Sequence, residues 1–186
     1  MAWARFRLKK LRVLTAWIGA LVLFLSARID NASFWIGVPI AIGGELLRIW
    51  SLGFMERKGK VLTTSGPFSY VRNPLYVGNF FIGLGILILC RNLFLLAFFL
   101  IGFTILHWAL IRQEEKELGE KFGNLYTEYC KHVGRIIPTF APFSGGGRTH
   151  FERKRLWQHR EYMTFLGLAA IIAASILSLR LHLKVF

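Results

Sequence analysis

The sequence predicts an all-α, polytopic transmembrane helical protein with about five membrane-spanning helices. Its hydrophobic content is 54% and its mean hydropathy is +0.47, which is too apolar for a soluble domain of 186 residues. Intrinsic disorder is excluded because disordered chains have low hydrophobicity. Two cysteines can close at most one bridge, so a disulfide-rich scaffold is excluded as well. These exclusions leave a membrane protein.

Five apolar runs approach the roughly 20 residues that an α-helix needs to cross the hydrocarbon core of a bilayer. They are residues 13–27, 34–55, 75–90, 93–111 and 162–181. Arg91 and Asn92 alone separate the third run from the fourth, which predicts a tight helical hairpin. The first run follows a basic segment and could instead be a signal peptide. Leu25 is too large for the small-residue position before a cut after Ala27, so we expect an uncleaved first helix.

Charge predicts the orientation of these helices, because Lys and Arg concentrate in short loops that stay in the cytoplasm. The 24 Lys and Arg exceed the 10 Asp and Glu and leave a formal charge of +14. Most of these cations lie before the first run, between the second and third, and between the fourth and fifth. We therefore expect an integral, multi-pass protein with a cytoplasmic N-terminus and a C-terminus on the opposite side. Orientation explains most of the basic surplus, and no aromatic-basic nucleic-acid module is visible, so no nucleic-acid partner is expected.

Two polar segments, residues 56–79 and 107–138, interrupt the apolar sequence, and both lie on the predicted cytoplasmic side. The hairpin brings them together, which suits an enzyme that joins a soluble reactant to a lipophilic one. In the first segment Pro74 fits the first turn of a helix and Asn73 fits its N-cap. A turn followed by a helix start explains these residues without any site. The alternative is an anion site, in which Arg72 and the free amides of the helix start bind a carboxylate or phosphate.

In the second segment His107 and Glu114 share one helical face, so Glu114 is expected to point inward along an otherwise apolar stripe. An inward carboxylate at the membrane edge favours a positively charged ligand. The simpler alternative is a solvated acidic turn paired with nearby lysines. His107 is expected to be a packing histidine rather than a base. Glu45 and Arg48, three residues apart in the second run, are expected to pair with each other or with the inner site.

Several motifs follow one another in a fixed order along residues 43–138. They are Leu47-Arg48-Ile49-Trp50, Leu62-Thr63 to Gly66, Arg72 to Gly78, Glu114-Glu115, Phe122-Gly123, Tyr126, Tyr129 and Pro138. This ordered set resembles the integral-membrane methyltransferases typified by isoprenylcysteine carboxyl methyltransferase, a group that includes the phospholipid N-methyltransferases.

The resemblance implies a cytoplasm-facing site for the cofactor S-adenosyl-L-methionine. The residues that it places around the cofactor are Lys60, Val61, Leu62, Thr63, Phe68, Asn73, Pro74, Leu75, Tyr76 and Glu114. A sulfonium cation favours the Glu114 carboxylate and the aromatic face of Tyr76. Arg72 joins the predicted set because a guanidinium suits the carboxylate of the cofactor.

The sequence departs from that family at Leu110, where the prenylcysteine enzymes carry an arginine, and at Asn73, where many members have histidine. The acceptor therefore stays open between an isoprenylcysteine-like carboxylate and a lipid headgroup amine. Two residues are predicted to take part in catalysis. Arg112 would bind a substrate anion, and Glu115 would act as a base or an orienting group. No metal ion is expected.

The leading hypothesis is methyl transfer to a lipophilic or amphipathic acceptor by a methyltransferase core at residues 34–140. Residues 1–33 are expected to form a basic segment and the first helix. Residues 141–186 are expected to form a Gly-rich flexible joint, a basic interfacial segment and the last helix. The competing hypothesis is a non-enzymatic multi-pass membrane protein whose inner loops bind anionic lipid or a protein partner. The oligomeric state stays open.

Overall fold

The computed structural model describes residues 29–56, 61–147 and 149–180 of the chain. Its helices are α1 (Asn31–Phe54), α2 (Pro74–Cys90), α3 (Leu93–Phe122), α4 (Asn124–His132), α5 (Arg153–Gln158) and α6 (Glu161–Arg180), with a short 3₁₀ helix at Gly66–Ser69. Extended backbone within the described ranges makes only two isolated bridges, Thr63 with Gly147 and Val71 with Gly134. The prediction of an all-α protein is confirmed.

Three helices, α1, α3 and α6, are long and apolar enough to cross a membrane, so the protein is an integral membrane protein built of helices. Helix α2 is apolar but has only 17 residues. Its length of about 25 Å is less than the roughly 30 Å of hydrocarbon in a typical bilayer. The apolar run predicted at 93–111 continues as α3 to Phe122. The span predicted at 13–27 lies outside the described residues.

Helix α1 begins with a capping box. The Asp30 carboxylate accepts a hydrogen bond from the Ser33 amide at 2.8 Å, and the Ser33 hydroxyl accepts one from the Asp30 amide at 3.1 Å. The Ser33 amide, helped by the guanidinium of Arg91, lowers the pKa of Asp30. Arg91 ends α2 in the left-handed conformation with φ 52°, and the Asn92 side chain caps α3. The tight hairpin predicted at these two residues is confirmed.

Helices α1 and α2 lie in backbone contact because glycines face one another. A Cβ atom on Gly44 would lie 2.7 Å from the carbonyl oxygen of Gly78, and one on Gly37 would lie 2.5 Å from that of Gly85. Gly43 faces open space instead. Small residues let helices approach closely inside a membrane, where no difference in hydrophobicity drives them together. The level of α2 relative to α1 is therefore set by these contacts.

The chain that follows α4 returns along the segment that precedes α2. The Thr139 amide donates to the Tyr70 carbonyl at 2.8 Å, and the Thr64 hydroxyl donates to the Gly145 carbonyl at 2.8 Å. Gly146 adopts φ 93°, a left-handed conformation that favours glycine. The glycines predicted to form a flexible joint are therefore packed against this segment. Their lack of side chains allows the two backbones to meet.

Residues 151–158 pack against the C-terminal end of α1 and donate hydrogen bonds to it. The Glu152 amide donates to the Gly53 carbonyl at 2.9 Å, and Arg155 Nη1 donates to the Phe54 carbonyl at 2.7 Å. These carbonyls belong to the last turn of α1, where carbonyl groups have no hydrogen-bond donor within their own helix. The Phe151 ring packs edge-on against the Phe54 ring, with centroids 6.0 Å apart. The basic stretch predicted as an interfacial connector thus contains α5 and ties α1 to α6.

Candidate functional site

A buried polar cluster between α2 and α3 is centred on the Glu115 carboxylate, whose side chain is 10% exposed. Arg135 Nε lies 3.0 and 2.9 Å from its two oxygens, and Arg135 Nη2 lies 2.6 Å from Oε2. Asn73 Nδ2 donates to Oε1 at 3.3 Å, and Arg72 Nη1 lies 3.6 Å from the same oxygen. Donors therefore occupy both oxygens, which fits the orienting role predicted for Glu115 better than the role of a base.

Asn73 stands at the N-cap position of α2, but its side chain makes no capping hydrogen bond. Its amide instead donates to Glu115 and to the Arg135 carbonyl, the latter at 3.1 Å. Asn73 is therefore the N-cap residue, as predicted, but its side chain does not cap the helix. A buried amide gains more from a carboxylate partner than from a neighbouring backbone amide, because hydrogen bonds to charged groups are stronger. Pro74 occupies the first turn as predicted.

A second contact joins the same two helices nearer their surface. The Tyr76 hydroxyl donates to Glu114 Oε1 at 2.8 Å, although the two residues are 38 positions apart. The Tyr76 ring meets the His107 ring edge-on, with centroids 5.4 Å apart. The His107 ring stacks on Phe103 at 3.6 Å, and its Nδ1 lies 2.9 Å from the Phe103 carbonyl oxygen, so it has the contacts of a packing histidine. The two polar segments meet, as the hairpin predicts.

The buried face of α3 is rotated from the predicted one. Ile111 is 2% exposed and Glu115 is largely buried, whereas Glu114 and Arg112 are exposed. The prediction that Glu114 points inward along an apolar stripe is wrong. The inward positions are Ile111, Glu115 and Leu118, spaced four and three residues apart. Leu118 packs against the core beside α4, and this packing sets the rotation of α3.

The segment before α2 contributes to the hydrophobic core rather than only to a binding surface. Leu62 is buried in a cluster with Tyr126, Tyr129 and Val133. The Tyr129 hydroxyl donates to the Phe68 carbonyl at 2.6 Å. Burial raises the pKa of the Tyr126 hydroxyl and of the Tyr129 hydroxyl. Leu62, predicted to contact the cofactor, therefore has its side chain committed to the core.

The other residues predicted around the cofactor differ in exposure. Pro74 and Asn73 are buried, Val61 and Glu114 are exposed, and Thr63, Phe68, Arg72, Leu75 and Tyr76 are half-buried, while Lys60 lies outside the described residues. In the described parts of the chain, no group of three or more His, Cys, Asp or Glu side chains is placed to hold a metal ion.

Sequence reasoning missed Arg135, which completes the cluster. Its hydrogen bond to Glu115 raises the pKa of the guanidinium, and the group lies 4.9 Å from the centre of the Trp108 ring. The Arg72 amide donates to the Gly134 carbonyl at 2.9 Å, which brings this segment to the start of α2. Arg135 lies between the last two motifs of the resemblance, and that position was its only signal in the sequence.

A separate polar cluster lies within the membrane-spanning helices. Arg48 on α1 donates to Glu161 on α6 through Nε at 2.8 Å and Nη2 at 2.6 Å, and it also donates to Asn79 on α2. Glu45 Oε2 lies 3.7 Å from Arg48 Nε. Both Glu45 oxygens are buried without a hydrogen-bond partner in the described structure. Arg48 thus contacts Glu45, as expected, but its principal partner is Glu161.

Comparison with known proteins gives a family match and several relatives. Residues 40–120 match the model of the isoprenylcysteine carboxyl methyltransferase family. A cobalt-zinc-cadmium resistance protein of Cupriavidus metallidurans is 28% identical over 90% of this chain and 81% of its own length. A nickel-cobalt-cadmium resistance protein of Alcaligenes xylosoxydans xylosoxydans is 28% identical over 75% of this chain and 64% of its own length.

A third relative carries a named methyl-transfer activity. The protein-S-isoprenylcysteine O-methyltransferase of Xenopus laevis is 38% identical over 46% of this chain, and the match spans 28% of that enzyme. No solved structure matches the chain.

Proposed function

We propose that the chain is a member of the isoprenylcysteine carboxyl methyltransferase family, whose model matches residues 40–120, and that it is an S-adenosyl-L-methionine-dependent methyltransferase. Its acceptor is lipophilic or amphipathic and reaches the site from the bilayer. The contact between the Tyr76 hydroxyl and Glu114 carries the proposal, because it joins the two segments that the resemblance assigns to the cofactor.

The side chains at this contact fit a sulfonium cofactor. Glu114 presents an exposed carboxylate at the Tyr76 hydroxyl, and the Tyr76 ring packs against the His107 ring; a carboxylate and an aromatic face both attract a cation. Arg72 Nε is buried and has no hydrogen-bond partner among the described residues. A carboxylate group of the cofactor would reach this donor once the side chains that cover it move aside. Charge of both signs is thus present where a zwitterionic cofactor needs it.

The bound cofactor supplies a methyl group already activated on sulfur. The chain has to bind the reactants, align them and exclude water. Glu114 and Tyr76 hold the positive centre of the cofactor. Glu115 orients the start of α2 through Asn73 and the C-terminal segment through Arg135. Arg112, exposed on α3, binds an anion of the substrate or of a lipid headgroup.

The acceptor lies along the exposed apolar face of α3. Leu106 is 65% exposed and Leu110 is 43% exposed, so an acyl or prenyl chain can pack there. Leu110 also stands where the prenylcysteine enzymes carry an arginine. The acceptor group is therefore either an isoprenylcysteine-like carboxylate or a lipid headgroup amine.

The site is proposed to face the cytoplasm, with the N-terminus on that side and the C-terminus opposite. The bias of Lys and Arg supports this orientation. Residues 34–140 are proposed as the catalytic core, because they contain both polar segments and the hairpin between them.

A second candidate is a non-enzymatic membrane protein that binds anionic lipid or a protein partner. One observation favours it. The two relatives with the longest coverage reported above are named for resistance to metal cations and not for methyl transfer.

Methyl-labelled cofactor distinguishes the two candidates. Membranes that contain the protein are incubated with the labelled cofactor. Label is then measured on the purified protein itself, in the extracted lipid and in the remaining membrane proteins. We expect saturable retention by the wild type and at least tenfold weaker retention by Glu114→Gln. Glu117→Gln is the matched control, because Glu117 is exposed on the same helix and contacts only Gln113 among the described residues.

The chemistry of the transferred label identifies the acceptor. A methyl ester is released by mild base, whereas an N-methyl group is not. Absence of saturable retention by the wild type, with lipid still bound, would reject the methyltransferase and support the second candidate.

A further inference from the structure

Helix α6 lies outside the residues that match the family, yet its first residue reaches into the core of the matched region. The Glu161 side chain is 5% exposed and binds the Arg48 guanidinium through both oxygens, at 2.8 and 2.6 Å. This two-point geometry fixes the guanidinium plane as well as its position. Three helices, α1, α2 and α6, meet at this one side chain, because Arg48 also donates to Asn79.

Arg48 contacts α2 through its aliphatic stem as well as its head group. A Cβ atom on Gly78 would lie 2.6 Å from Arg48 Cγ, so the stem fills the space that the glycine leaves. Asn79 is the next residue of α2. The contact and the hydrogen bond together determine the rotation of α2 about its axis. Tyr76 lies within the same turn, so this rotation also sets where its hydroxyl meets Glu114.

Arg48 has two carboxylates near it but binds only one of them closely. Glu45 is 3% exposed, and its nearer oxygen is 3.7 Å from Arg48 Nε without a hydrogen bond. The Glu161 oxygens lie closer to the Arg48 guanidinium than the Glu45 oxygens do, and they accept its hydrogen bonds. Within the bilayer a charged group is costly unless it is paired, so the loss of its partner would leave Arg48 free to turn toward Glu45 and away from α2.

We infer that Glu161 is a positioning residue for methyl transfer, which holds Arg48 against Asn79 and thereby keeps Tyr76 of α2 in register with Glu114 of α3. The inference rests on the proposed function. It assigns a role to the C-terminal helix, which the family match does not cover.

Two glutamine variants at the same guanidinium test this inference. We expect Glu161→Gln to lower kcat by about ten- to a hundredfold, since displacement of a reacting group by about 1 Å costs about that much. The dissociation constant for the cofactor should rise as well, because Tyr76 and Glu114 together hold its positive centre. Glu45→Gln makes the same chemical change beside the same guanidinium and should keep wild-type kcat.

A structural readout separates failure of this inference from failure of the proposed function. The ring centroids of Phe80 on α2 and Phe103 on α3 lie 5.5 Å apart. A double variant, Phe80→Cys with Phe103→Cys, therefore reports the register of the two helices by cross-linking. We expect Glu161→Gln to lower the cross-linking yield even if the wild type transfers no methyl group. A folded Glu161→Gln protein with wild-type kcat and cross-linking would overturn the inference. If that variant does not fold, Arg48→Lys keeps the charge but not the two-point geometry, and wild-type kcat in this variant would overturn it equally.

Discussion

Replacement of Glu115 by glutamine tests whether the buried cluster holds the two polar segments together. Arg135 engages both Glu115 oxygens, so a glutamine nitrogen in either position would face a guanidinium N–H. The variant loses at least one charge-assisted hydrogen bond, worth about 1.5–3 kcal/mol. It also leaves Arg72 and Arg135 without their common carboxylate. Breaking a fully buried pair costs about 3–5 kcal/mol, but the Arg135 side chain is 31% exposed, which reduces that penalty. We therefore expect a loss of about 2–4 kcal/mol in the free energy of unfolding.

Thermal unfolding of the purified protein in detergent measures this loss. Fluorescence is a suitable probe because Trp108 lies under the Arg135 guanidinium. For a chain of this length, 1 kcal/mol shifts the melting temperature by about 2–4 °C, which gives an expected decrease of about 4–16 °C. Glu114→Gln is the matched control. Its side chain is exposed and accepts a hydrogen bond from Tyr76, so its removal should cost less than about 1 kcal/mol while weakening retention of the proposed cofactor. Equal melting temperatures, or a larger decrease for Glu114→Gln, would refute the reasoning.

Three further outcomes are expected from the packing and the buried groups. Gly44→Ala should destabilise the protein by about 1–3 kcal/mol because its Cβ has no room against α2, whereas Gly43→Ala faces open space and should leave the melting temperature unchanged or slightly higher. Glu45→Gln should raise the melting temperature, since it removes a buried carboxyl group that accepts no hydrogen bond; a decrease would mean that its 3.7 Å contact with Arg48 stabilises the fold. The raised pKa of Tyr126 and Tyr129 predicts that unfolding the protein at about pH 11 increases the tyrosinate absorbance, because burial keeps these two hydroxyls protonated in the native state. Because both values are raised in the folded state, the stability they contribute is present below about pH 10 and is lost as the pH rises further.

Helix positions could be predicted from the sequence because the relevant signals are local. A long apolar run has to be helical inside a bilayer, and the Arg91-Asn92 break ends one helix and starts the next. The meeting of the two polar segments follows from that hairpin alone. The rotation of α3 could not be predicted in the same way. Successive residues of a helix differ by about 100°, so the choice between Glu114 and Glu115 as the inward carboxylate depends on packing that is not encoded locally.

Side-chain partners show the same limit. Asn73 is a natural capping residue by its position, but its amide turns to Glu115, which is 42 residues away. Arg48 has Glu45 as its nearest carboxylate in the sequence, but it binds Glu161, which is 113 residues away. In both cases the group that offers the stronger hydrogen bond at the right distance displaces the local one.

The sequence by itself determined that this protein is helical, membrane-embedded and folded so that two polar segments share one end of a hairpin. Hydrophobic length and turn residues decide those features, and both act over a few residues. The tertiary structure alone decided which carboxylate is buried, which one remains available to a ligand, and which helix holds Arg48. Those choices depend on distances and orientations between helices, because the energy of a charged group is set by the atoms that surround it in space.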